Sequence, residues 1–168
     1  MCGFVSKRTN MRNINHVLQA ISAALGINSL GTITRKEDGT LVAPNGIKVD
    51  PKGKIHIESY GHEDNVHVHI PGSMINSQLK GGSRINSHGI ALKNEGGTWT
   101  LVFYDMDENR LLDEAFKSRV FQRYNEHEVK DVVNKVGGQV VSAQRSVQNG
   151  QEVTVVRWKA QVEVEVEE

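Results

Sequence analysis

Between residues 29 and 70 apolar side chains recur at every second position, and this period of two is the pattern of a strand with one buried face. TITRKEDGTLVA and GIKVDPKGKIHIE each read as a hairpin, turning at Glu37-Asp38-Gly39 and at Asp50-Pro51-Lys52-Gly53. IHIESYGHEDNVHVHI, residues 55 to 70, adds a third. The whole segment is expected to be an antiparallel meander.

On either side the period changes. Residues 3 to 8 can form a short strand, and Ile14, Leu18, Ile21 and Leu25 then trace the stripe of a helix, with Asn10 as cap and Gly26 as stop. The Gly/Ser/Asn-rich run of residues 71 to 84 reads as the most mobile loop. GIALKN and TWTLVFYD follow as strands joined at Glu95-Gly96-Gly97. Residues 108 to 136 are helical in composition and read as two helices, because Asn125 followed by Glu128 has the form of a capping box and Gly137-Gly138 is a stop. QVVSAQRSV and QEVTVVRW flank Asn149-Gly150, a strong hairpin signal. The fold class expected is α+β, a single domain over 1–168 with antiparallel β-sheets and about three helices. It carries a β-rich insertion at 29–70 and a long C-terminal strand.

That last strand can run from 152 to 167, with Val156, Trp158, Ala160, Val162, Val164 and Val166 on one face and Arg157, Lys159, Gln161, Glu163, Glu165 and Glu167 on the other. Such a length exceeds the roughly five or six residues of a common strand. An overhanging apolar strand is expected to pair with a neighbouring subunit, making a homo-oligomer. The alternative is a solvated acidic extension over 159–168.

Composition narrows the function classes. A chain of 168 residues can bury roughly 70% of the surface its unfolded form exposes. Lys plus Arg and Asp plus Glu are equal at 20 each, so no global field draws in nucleic acid or an anionic membrane. Cys2 is the sole cysteine and no apolar run approaches the roughly 20 residues of a membrane span, so a cytoplasmic protein is expected. Glycine-rich phosphate loops are missing.

The chemistry on offer lies in residues 55 to 70, which hold four of the seven histidines. A turn at Gly61-His62-Glu63-Asp64 would pair residue 58 with 67 and 56 with 69. It would bury Ile55, Ile57, Val66, Val68 and Ile70 and gather His56, Glu58, His67 and His69 on the opposite face. Cross-strand neighbours about 5 Å apart suit a zinc ion with ligands drawn from these four, three of them leaving one open position for an activated water. The other use of the same pattern is a polar outer face with no metal, or one that charges near pH 6. Cys2-Gly3 also has the form of an N-terminal nucleophile, but the chain is too short for the amidotransferase domain that uses one.

The last third carries a resemblance. SHGIALKNEGGTWTLVFYDMD and FQRYNEHEVKDVVNKVGGQVVSAQRSVQNGQEVTVVRW resemble the uncharacterised domain family that includes hypothetical chloroplast reading frame thirty-five of red algae and cyanobacteria, with relatives in other bacteria and phages. Gly89-Ile90-Ala91, Asp105, Gln122-Arg123-Tyr124 and Arg157-Trp158 correspond to its motifs, and the resemblance covers mainly residues 1–26 and 86–158. It implies a fold and no reaction, and its genome context implies an AAA-type ATPase as a partner. The foremost reading is a non-enzymatic binding or accessory protein that self-associates. The alternative is a zinc-dependent hydrolase.

Overall fold

The computed structural model describes residues 4–7, 11–44, 46–59, 62–85, 87–104, 111–148 and 151–160. Cys2, Asp105 and the extension at 161–168 lie outside them. At the centre is an antiparallel five-stranded sheet built from β1 (Phe4–Lys7), β9 (Thr98–Tyr104), β8 (Ile90–Glu95), β7 (Val68–Ile70) and β4 (Lys48–Val49), in that spatial order. The fold is α+β. The β8–β9 hairpin closes at Gly96-Gly97, where Glu95 pairs with Thr98 and both glycines have positive φ, 62° and 88°. A two-residue turn with that backbone matches the right-handed twist of its strands and favours glycine at both positions.

Both faces of the central strands are apolar. Ile90, Leu92, Leu101 and Phe103 point to one face and join the main core with Val68 and Ile70. Two helices cover it, α1 (Ile14–Leu25) with Val17, Leu18 and Ile21, and α3 (Glu114–Lys135) with Phe116 and Val120. The Phe103 and Phe116 rings meet edge to face at 5.8 Å. Burying each such large side chain contributes about 1.5–3 kcal/mol. Ala91 and Val102 point to the opposite face, where the hairpin of β5 (Ile55–Ser59) and β6 (His62–Val66) lays Ile57 and Val66 over them. The molecule is therefore layered as helices, sheet and hairpin.

Residues 29–70 thus serve two layers. The short β2 (Thr34–Arg35) and β3 (Leu41–Val42) form the first expected hairpin, its turn held by the Asp38 carboxylate accepting from the Thr40 amide at 2.9 Å. The second expected hairpin does not form. The turn at Asp50–Gly53 is present, with Gly53 donating to the Asp50 carbonyl at 3.0 Å, but β4 pairs with β7 and β5 with β6. The third closes between Ser59 and His62, so His56 faces Asn65 and Glu58 faces Glu63, in place of the pairings with His69 and His67. Pairing parity is preserved, and Ile57, Val66, Val68 and Ile70 are all buried as the alternation predicts. They go to two cores, because the chain bends at His67 and crosses from the back layer into the sheet.

Three further differences concern helices. The expected pair over 108–136 is one 22-residue helix, capped by the Asp113 carboxylate on the Phe116 amide at 2.8 Å. No glycine or proline interrupts it, and Glu128 turns to the side-chain contacts described below instead of capping a second helix. The first helix begins later than expected, with Asn13 as cap in place of Asn10. The run 71–84 is not a featureless loop: α2 (Gly72–Asn76) drives Ile75 into the core, and the Asn76 amide exchanges two hydrogen bonds with the Ile85 backbone. The last described elements form a separate hairpin, β10 (Gly138–Gln148) on β11 (Gln151–Ala160), as Asn149-Gly150 predicts.

Gly89, at the entrance to β8, sits at φ 71° with the Ile70 carbonyl and the Gly72 amide where a Cβ would stand. Gly96 has a similar φ and open space around it. Gly96→Ala should cost about 1 kcal/mol of conformational strain, whereas Gly89→Ala should cost about 3 kcal/mol or more because backbone atoms must also move. Chemical denaturation of the two variants checks the ordering.

Candidate functional site

The four histidine-face residues are distributed over two layers. His56 is exposed on β5, its Nδ1 3.4 Å from the Asn65 carboxamide oxygen, and Glu58 stands two positions along the same strand. His67 and His69 belong to the sheet side of the bend. Among the described residues no three His, Cys, Asp or Glu side chains come together as a group that could hold a metal ion.

His67 has a structural task that follows from the bend. β7 pairs with β8 only from Val68 onward, since Val66 has left for the back layer, and the amide of Asn94 on β8 has no strand beside it. The His67 ring takes the place of that strand, its Nδ1 accepting from the Asn94 amide at 3.0 Å. Its ring lies edge-on to Trp99 at 6.1 Å and against Gly53, where a Cβ would come within 2.5 Å of the imidazole. Burial pushes its pKa down, helped by Lys93 and opposed by Asp50, so the ring is held neutral. His69 sits opposite Ala91, and its Nε2–H donates to the His88 carbonyl at 2.6 Å. Each of these two imidazoles thus satisfies a backbone group at the margin of β7.

The richest titratable cluster lies elsewhere, between α1 and α3. Tyr124, His127 and Glu128 stand at i, i+3 and i+4, so they share one face of α3 and continue the stripe begun by Phe116 and Val120. His16, in the first turn of α1, meets them. The Tyr124 hydroxyl accepts from the amides of Arg12 and Asn13, at 2.8 and 3.1 Å, and donates to the Glu128 carboxylate. Glu128 accepts in turn from His16 Nδ1–H at 3.0 Å. The His16 ring stacks on His127 at 6.1 Å and stands edge-on to Tyr124 at 6.3 Å.

Electrostatics here follow the bonding. The phenol proton holds the Glu128 carboxyl below its usual range, with His16 adding to the effect. Burial and the Glu128 charge push the Tyr124 phenol up, and burial, His16 and Lys130 push His127 down against the pull of Glu126. The result is a phenol, a carboxylate and an imidazole in hydrogen-bonded series, able to hold or exchange one proton. Among the described residues no serine, threonine or cysteine is hydrogen-bonded to His16. The sequence signal for this cluster is an apolar helical stripe that turns titratable at 124, 127 and 128 and has a histidine available on another helix. Histidine density points instead to residues 55–70.

Compared with known proteins, the chain matches no family model, no curated protein and no solved structure.

Tyr124→Phe removes the acceptor of two backbone amides and should lower stability by about 1–3 kcal/mol, or several °C in Tm at roughly 2–4 °C per kcal/mol. His127 has a folded pKa below its unfolded value near 6.5, so its contribution is complete above that pH and is lost as pH falls below it. Glu128, also depressed, acts in the same direction from a lower starting point, near 4.5. His67, also depressed by burial, acts over the same window, so Tm should fall between pH 7.5 and 5.5 and His127→Gln should reduce that slope without abolishing it in a thermal melt series.

Proposed function

We propose that this protein is a non-enzymatic binding or accessory protein that associates with further copies of itself through its C-terminal hairpin. The observation that carries the reading is that β10 and β11, packed beside α3, form a two-stranded sheet of their own. Eleven and ten residues long, they pair with each other from Gly138↔Ala160 to Gln148↔Gln151 and with no other described strand. A lone two-stranded ribbon is marginal in water, and its open edges are templates for another strand. Arg157 and Lys159 are exposed, in keeping with the alternation expected of this strand.

The adjoining helix supports the same reading. Of the large apolar side chains exposed among the described residues, Phe121, Val129, Val132 and Val136 lie on α3 and the turn that ends it, and Val42 is the exception. Their spacing of eight, three and four residues places them on one stripe, interrupted by the exposed Asn125. An apolar stripe beside an open ribbon is the character of an association surface.

Light scattering with size exclusion should give a mass that is a multiple of the 18.6 kDa chain at tens of micromolar. Val132→Glu, on a residue 57% exposed, should reduce that mass to one chain while leaving Tm within a few degrees. A single-chain mass for the unaltered protein at 100 µM would overturn the proposal.

A further inference from the structure

Where α1 ends, a cleft of about 230 Å³ opens between three elements distant in sequence. Leu25 of α1, Leu79 from the loop after α2, and Leu111 just before α3 supply apolar walls. Lys80, Arg119 and the Ser83 hydroxyl complete the lining. Two cations on separate elements thus border one small apolar hollow. Among the described residues neither has a carboxylate within ion-pair distance, although Arg119 is half-buried. A guanidinium on a half-buried residue has planar donors that suit an oxyanion.

The simplest structural use of these cations would be to satisfy the last carbonyls of α1. Two of those carbonyls have backbone partners: Gly26, at φ 67°, donates to the Ala23 carbonyl at 3.2 Å, and Ile27 donates to that of Ser22 at 3.1 Å. The backbone thus takes the Ser22 and Ala23 carbonyls, and no described hydrogen bond or ion pair commits the side chains of Lys80 and Arg119 to the helix end.

We infer that this cleft binds a small amphipathic anion, a carboxylate or monophosphate head on a short apolar body. Arg119 and Lys80 take the head, Ser83 donates a hydrogen bond to it, and the three leucines enclose the body. At about 30 Å³ for each water-sized group, the volume admits roughly seven or eight non-hydrogen atoms. A six-carbon chain with its carboxylate fills it. This assigns a ligand site to the protein and so goes beyond self-association.

Titration of the isotopically labelled full-length protein with hexanoate, hexanol, hexyl phosphate and inorganic phosphate tests the inference by amide chemical shifts. Hexanoate should produce saturable shifts at residues 24–26 and 79–83 with a dissociation constant of about a millimolar, the scale expected for so small a ligand. Hexyl phosphate binding more tightly than hexanoate would identify the head as a phosphate ester, and the reverse order would identify a carboxylate. Arg119→Gln should weaken the preferred anion about tenfold and leave hexanol unaffected, and Lys80→Gln, on an exposed residue, repeats the test where folding is not at issue. Absence of saturable shifts at 20 mM would overturn the inference. So would hexanol binding as tightly as the anions, or inorganic phosphate binding as tightly as its hexyl ester.

Discussion

The rest of the fold depends on the two-sided burial of β8. Ile90, Ala91 and Leu92 are consecutive and all buried, so neither face of the strand can meet water. Large residues on the helix side and a small one on the back leave unequal spaces to fill. Two helices fill the deeper space, and a thin hairpin, set close by the small Ala91 side chain, fills the shallower one. Because the hairpin and β7 are continuous in sequence but belong to opposite sides, the chain must bend between Val66 and Val68. The bend leaves the Asn94 amide short of a strand, and an imidazole makes up the loss.

This explains which parts of the architecture were legible in the sequence. Strand existence, pairing parity and the turns at Glu37–Gly39 and Gly96-Gly97 depend on neighbours a few residues apart, and all can be read locally. Partner choice cannot. β4 and β5 flank a good turn, yet β4 takes β7 as its partner because the sheet has a place for another strand and the back face needs a cover. The single α3 in place of two helices shows the same override. Glu128 is placed to cap, but His16 and Tyr124, supplied by tertiary contact and by the turn before it, offer the carboxylate better partners.

The candidate sites divide along the same line. Histidine density is visible at residues 55–70, and the structure spends His67 and His69 on backbone groups. The α1–α3 cluster is assembled from residues 112 positions apart, His16 and Glu128, and no local pattern announces that meeting. The cleft at the end of α1 is further still from legibility, since Leu25, Lys80 and Arg119 have nothing in common until the helices pack.

Tyr124 also fixes a length. Its hydroxyl reaches the backbone just before α1 from a position ten residues into α3, so the two helices are gauged against each other by one phenol. One residue inserted or deleted between Phe116 and Tyr124 would turn the ring about 100° around the helix axis. The phenol would then leave Arg12, and His127 and Glu128 would leave His16 with it. Beyond Val133 the helix face is exposed and no such gauge applies. Indels that spare the α1–α3 join should therefore be confined to the end of α3 nearest the terminal hairpin, where a change of length moves the hairpin and leaves the phenol in place.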